Sequence, residues 1–375
     1  MTSRTRPIRL LRTDWGIFFI VLVLLIIGLV MVYSASYGFA LMEGGVYEGR
    51  STYFVRRQIA FAIAGLAVLF ILWRLDYRIY RRFAVLILLL TAALLLVMVP
   101  LGRWLLKGQY ARSVQPVELA KLGALVYIAV WLEAKRDRIR TINLGLVPFA
   151  VLLGFATGLI LAQRDFSTAV LLAATAVAMF FVAGADLRQL LIILLCGGIV
   201  VVLVVFVGGY QRDRVITWFE DPLSRAMGEG FQPVQSLIAI NHGKMFGVGL
   251  GQSEQKFVIY APHTDCVFAI ICEEFGFVGA LVVLTLFGLW TWRGLRIARH
   301  ARDNYGRLLA VGLVSWIVFQ AMLHIAVVTV LTPFTGTVLP FVSYGGSSLL
   351  TSLAAVGILL SISRVSSQPV EDSGA

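Results

Sequence analysis

The sequence predicts an all-α protein that crosses a membrane ten times, and three observations carry that reading. Hydrophobic residues make up 59% of the 375 and charged residues only 14%, against about 25% charged in ordinary soluble domains. The mean hydropathy is +0.88. Apolar runs of about 17 to 25 residues, the length a helix needs to cross the hydrocarbon core, recur along the whole chain.

Those runs lie near 15–35, 58–73, 83–100, 117–132, 144–162, 168–185, 187–208, 266–290, 308–331 and 347–363. The first follows Arg4, Arg6, Arg9 and Arg12. It is too long for a signal peptide and lacks a small-residue cleavage site, so it reads as a retained spanning helix. An even number of spans puts both termini on one side. Basic clusters at 74–82, 135–140 and 293–307 fall in short loops on that side and mark it as cytoplasmic. The outer segments are then 36–57, 100–116, 163–167, 209–265 and 332–346, the fourth by far the longest. The chain reads as a single domain over 1–375, ending in a short disordered tail at 365–375.

The formal charge of +12 is spread through topology clusters rather than gathered on a soluble basic domain, which excludes nucleic acid as a partner. Cys196, Cys266 and Cys272 show no metal-ligand spacing and read as small core hydrophobes.

Polar residues in or beside apolar runs carry the functional reading, because an unpaired ion in a membrane is expensive. Gln115-Pro116-Val117-Glu118-Leu119-Ala120-Lys121 opens the fourth span. Glu118 and Lys121, three apart, share a helical face. They form either a self-neutralising ion pair or an anion site in an outward cavity, with Arg103, Lys107 and Arg112 upstream on the same side. Asp165 stands at or just before the start of the sixth span, as an N-cap or as a cavity-lining acid. Residues 233–240, with Gln235 among them, are amphipathic enough for a short helix on the outer face. The glycines at 243, 247, 249 and 251 allow close backbone approach but do not make a nucleotide site. Asp265 follows His263 and Thr264 where a Gly-rich loop meets the eighth span, and is either a helix cap or an acid poised for chemistry. Glu273 and Glu274, more than ~10 Å deeper by helical rise, read as buried supports. Residues 332–346, rich in Pro, Gly and hydroxyls and including Ser343, read as a loop folded back into the protein.

Taken in order, QPVELAK, GVGLGQSEQK, HTD followed by EEFGFVG, and LPFVSYGGSS resemble the SEDS proteins of bacterial cell-wall synthesis, the FtsW/RodA/SpoVE family. The likeness extends over nearly the whole chain and is nearest the FtsW/SpoVE branch. It implies a glycosyltransferase of the cytoplasmic membrane that polymerises lipid II into peptidoglycan. Asp265 would be the essential acid, a general base on the acceptor 4-hydroxyl, with undecaprenyl pyrophosphate leaving. Lys121, Glu118, Arg57, Arg103, Asp165, Gln235, Lys256, His263 and Ser343 would make up the substrate-binding set. No resident cofactor is implied, and a divalent cation at the pyrophosphate is left open. The implied partners are a class B penicillin-binding protein and other membrane proteins of the division or elongation machinery. A lipid II flippase and a non-catalytic scaffold are the alternatives. The chain departs from the family's usual pattern at Val117, Arg164, His324 and Cys266, and across Ile259-Tyr260-Ala261-Pro262, where the approach to the acid is one residue shorter and lacks a Glu.

Overall fold

A computed structural model of the chain describes residues 13–41, 52–104, 116–209 and 211–366. The helices are α1 (Trp15–Leu41), α2 (Tyr53–Arg74), α3 (Arg78–Trp104), α4 (Pro116–Ala134), α5 (Val147–Ala162), α6 (Phe166–Val182), α7 (Leu187–Val202), α8 (Arg212–Phe219), α9 (Phe231–Gly243), α10 (Val267–Arg299), α11 (Asn304–Val328) and α12 (Gly346–Ser366). There is no strand among the described residues. Short π-helical turns precede α5 at 142–146 and extend α7 at 203–207.

Eight of these runs are long and apolar enough to cross a membrane: α1, α2, α3, 142–162, 187–207, α10, α11 and α12. The chain is therefore a multi-pass membrane protein. The other two expected spans fall short of that standard. α4 holds Glu118, Lys121 and Glu133 within 19 residues, and α6 has only 17. The expected helix within 233–240 is α9, longer than its amphipathic stretch. α12 runs to Ser366, and the rest of the expected tail lies outside the described residues.

Burial orders the bundle. α12 is the core helix, with 89% of its spanning window buried, while α3 and α7 have 11% and 6% and turn apolar side chains outward. α12 takes that place because it is built from small residues: a Cβ at Gly357 would stand 2.6 Å from the Leu69 carbonyl of α2, so the two backbones approach closely, as small-residue interfaces in membranes allow. α10 and α11 pack together beside it, with α1 and α9 on α10, and α4 and α6 on α11.

α10 is broken. Gly276 takes φ 65°, ψ −161°, a backbone region essentially open only to glycine. The break separates the carbonyls of Glu273 and Glu274 from their helical donors, Phe277 and Val278. The Gly-rich stretch supplies substitutes: Val248 N–H donates to Glu273 O (2.9 Å), Gly249 N–H to Glu274 O (3.0 Å), Phe277 N–H to Lys244 O (2.8 Å) and Val278 N–H to Met245 O (3.2 Å). All four orphaned groups are satisfied inside the protein, as irregular backbone at membrane depth requires. A Cβ at Gly276 would fall 2.4 Å from Gly247 N, whereas one at Gly288 would meet nothing within 4 Å. Gly276→Ala therefore costs about 1–3 kcal/mol and lowers the thermal unfolding midpoint in detergent, and Gly288→Ala leaves it unchanged.

Candidate active site

The approach to Asp265 is held from three directions. Cys266, not Asp265, occupies the N-cap position of α10, and no side chain caps that end; the reading of Asp265 as a helix cap is not realised. Asp265 is half-buried. A Cβ at Gly336, in the loop between α11 and α12, would stand 3.0 Å from Asp265 Oδ2 and 3.3 Å from its Cγ, so that loop closes directly on the carboxylate. Ser343 Oγ donates to Thr264 O (2.7 Å) and accepts from Leu339 N–H (2.8 Å), and Tyr344 N–H donates to His263 O (2.8 Å). From α2, Gln58 Nε2 donates to Ser343 O (3.2 Å) while its Oε1 accepts from Gly345 N–H (3.3 Å).

Ala261 stands at φ 53°, a left-handed conformation costing a non-glycine residue ~1–2 kcal/mol. It lies where the sequence shortens its approach to the acid. The turn is stitched by Thr264, whose N–H and hydroxyl both donate to Ala261 O (3.1 and 2.9 Å), and by Gln232 of α9 donating to Tyr260 O (2.9 Å).

His263 is buried against the rings of Phe54 (4.5 Å between centroids) and Tyr344 (5.4 Å), and burial pushes its pKa down to about 3. The ring is a neutral packing element, one residue removed from the acid's immediate neighbour.

Glu118 and Lys121 form a buried ion pair, Oε2 to Nζ 2.9 Å, without the alignment of a hydrogen bond. The ammonium also donates to Gln320 Oε1 of α11 (3.2 Å) and lies 5.0 Å from the Trp316 ring centroid. Gln320 in turn accepts from Trp316 Nε1 (2.9 Å) and donates to Val338 O (3.1 Å). His324, one helical turn farther on, has its Nδ1 2.7 Å from Thr337 O. The ion pair thus reaches the loop two residues from Gly336, and the loop reaches Asp265.

The other expected residues divide. Arg57 is half-buried on α2 beside Gln58, its guanidinium donating to the Tyr53 hydroxyl (3.1 Å). Asp165 is the N-cap of α6, accepting from Thr168 N–H at 3.0 Å. Gln235 is half-buried on α9. Lys256 is buried away from the acid: its Nζ donates to Gly251 O (2.5 Å) and faces Glu274 Oε1 at 3.7 Å. Glu274 also accepts from Ser34 of α1 (2.5 Å). Glu273 accepts from Glu254 N–H (3.1 Å) and the Ser253 hydroxyl, with His242 Nδ1 at 3.0 Å. Both acids therefore anchor the 244–257 loop. Arg103 falls on α3 where side chains are outside the description, and Lys107 and Arg112 lie outside the described residues. Among the described residues no three His, Cys, Asp or Glu side chains gather where they could hold a metal ion.

Gln58, Gln320 and Gly336 were not singled out from sequence, and His324 only as a departure. Gln320 and His324 carried a legible signal, two polar side chains four apart inside an apolar span. Gly336 carried none beyond its place in a Pro/Gly-rich loop.

Comparison with known proteins finds relatives of the whole chain. A family model described as cell cycle protein, FTSW_RODA_SPOVE, matches residues 14–368. The stage V sporulation protein E of Bacillus subtilis is 39% identical over 376 residues, covering 97% of this chain and 99% of the relative. A probable peptidoglycan glycosyltransferase FtsW of Trichlorobacter lovleyi is 38% identical, covering 96% and 95%. Among solved structures, a chain of a peptidoglycan synthase complex that coordinates polymerization and crosslinking superposes with a TM-score of 0.76 at 28% identity, covering 95% of this chain and 99% of that one. The rod shape determining protein RodA of Thermus thermophilus gives 0.68 at 28% identity, covering 95% and 98%.

Two outcomes test this geometry. Lys121→Met leaves Glu118 as a buried lone charge and destabilises the protein by about 3–5 kcal/mol, more than the double change Glu118→Gln/Lys121→Met. For His263 the folded pKa of about 3 lies below the ordinary 6.5, so the unfolded chain binds a proton that the folded chain refuses. Its contribution to stability is full above pH 6.5 and is lost as pH falls toward 3, at about 1.4 kcal/mol per pH unit. Denaturation of His263→Phe measured across that window shows a correspondingly shallower loss.

Proposed function

The chain belongs to the FtsW/RodA/SpoVE family, and on that footing we propose that it is a peptidoglycan glycosyltransferase that polymerises lipid II at the outer face of the cytoplasmic membrane. The observation that carries this reading is the half-exposed carboxylate of Asp265 under Gly336, on a loop tied through Gln320 to the buried Lys121 ammonium. Relatives named as probable peptidoglycan glycosyltransferases support it. With α4 and α6 spanning as well, ten helices put both termini in the cytoplasm and Asp265 outside.

A sugar hydroxyl is a weak nucleophile, and a positioned carboxylate contributes about 10²- to 10⁴-fold by taking its proton in the transition state. Asp265 accepts the proton of the acceptor 4-hydroxyl as that oxygen bonds to the donor's anomeric carbon. The bond from that carbon to the pyrophosphate oxygen breaks, and undecaprenyl pyrophosphate departs with the electron pair. One displacement inverts the centre, so no second carboxylate nucleophile is needed. Negative charge growing on the leaving oxygen calls for fixed cations. Lys121, Arg57 and Arg103 are the proposed source, while Lys256, committed to Glu274 and Gly251, holds the loop. Glu118 keeps the Lys121 ammonium in place. His263 and Ser343 set the backbone around Asp265, and Gln235 faces the acceptor strand.

Among the described residues no soluble domain is available to cross-link peptides, and a class B penicillin-binding protein is the proposed partner for that step, within a division or elongation complex. Purified chain with its cognate transpeptidase, supplied with lipid II, makes glycan, and Asp265→Asn lowers the rate about 10²- to 10⁴-fold with an unchanged unfolding midpoint. Equal glycan from both proteins sinks the reading, and lipid II translocation without polymer favours transport instead.

A further inference from the structure

We infer that Gln320 and His324 are positioning residues that latch the loop between α11 and α12, setting Asp265 and Lys121 in register with each other. The inference rests on the glycosyltransferase reading. The two side chains stand four apart on α11 and share one face. They hold the carbonyls of consecutive loop residues: Gln320 Nε2 donates to Val338 O (3.1 Å) and His324 Nδ1 to Thr337 O (2.7 Å).

Both assignments follow from the partners. A lysine ammonium and an indole N–H can only donate, so the Gln320 oxygen must face Lys121 and Trp316 and its nitrogen must face the loop. A carbonyl can only accept, so the His324 proton sits on Nδ1. Gln320 is 3% exposed and His324 0%; the His324–Thr337 bond is buried and the Gln320–Val338 bond part-buried, so breaking either one leaves a loop carbonyl short of its partner.

The latch bears on the reaction through what adjoins it. Gly336, next to Thr337, is the backbone that meets the Asp265 carboxylate, at 3.0 Å from a Cβ placed there. The other end of the same Gln320 amide receives Lys121 Nζ at 3.2 Å. One side chain of α11 therefore fixes the ammonium on α4 and, through two loop residues, the environment of the acid before α10. A displacement of ~1 Å in such an arrangement can cost 10²-fold in rate without weakening binding. The side-chain nitrogen of Asn lies two bonds beyond Cβ, as His Nδ1 does. His324→Asn therefore keeps a donor for Thr337 O.

The test compares native chain, Gln320→Leu, His324→Ala, His324→Asn and Asp265→Asn, full length and in lipid nanodiscs, with two readouts: lipid II polymerisation kinetics and hydrogen exchange of the loop amides at 335–345. Gln320→Leu and His324→Ala lower kcat roughly 10- to 100-fold with KM within about twofold of native, and His324→Asn recovers most of the loss. Both damaging variants speed exchange at 335–345 and leave α5 and α6 as in the native chain. Unchanged loop exchange overturns the latch whatever the kinetics. Faster exchange with native kcat, or a loss confined to KM, overturns the positioning role. If Asp265→Asn polymerises like the native chain, it is the glycosyltransferase reading that falls, and the exchange data still decide the latch.

Discussion

Backbone that leaves the helix inside a membrane has only the protein itself to bond with, since the hydrocarbon offers neither donor nor acceptor. Among the described residues, two segments leave the helix within the bundle, and both approach Asp265. At Gly276 the helix breaks and the 244–249 stretch takes over four backbone groups, which carries the Gly-rich loop inward and delivers Asp265 to the start of α10. Between α11 and α12 the chain runs without helix, and its carbonyls at 337, 338 and 343 are claimed by His324, Gln320 and Gln58. The site is assembled from these two satisfied irregularities, set on a bundle whose core helix is α12.

The ionisable residues within the membrane sort by what they hold. Glu273 and Glu274 spend carboxylate oxygens on two hydroxyls, backbone N–H groups, His242 and Lys256, which fixes the loop. Glu118 and Lys121 pair with each other, and Lys121 with Gln320, a costly pair to bury. Asp265 differs from all of them in being half-exposed under a glycine that leaves it room.

Much of this was legible in the sequence because the membrane makes polarity informative. The apolar runs located the long helices of the described residues, with ends shifted: α10 extends to Arg299, and Arg293 within it pairs with Asp14 at 2.6 Å. The supporting role of Glu273 and Glu274 followed from their depth, and the inward-folded loop from its Pro, Gly and hydroxyl content. Other features depend on tertiary contacts that periodicity does not encode. The break at Gly276 looks like any glycine in an apolar helix until the Gly-rich loop is laid beside it. Lys256 is expected in the substrate-binding set, yet its ammonium is taken up by Gly251 O and faces Glu274. The reach from Lys121 to Asp265 runs through Gln320 and backbone carbonyls, whose partners no spacing rule supplies.

The central claim is that one site, bounded by Asp265 and Lys121, holds both reacting ends of the lipid-linked sugar. Electron cryo-microscopy of Asp265→Asn bound to lipid II tests it most directly. An acceptor 4-hydroxyl is expected within about 2.6–3.2 Å of the residue 265 side chain, with a pyrophosphate on the Lys121 side of the 332–346 loop. Lipid II seated elsewhere, with neither its sugar at 265 nor its pyrophosphate beside that loop, would contradict it.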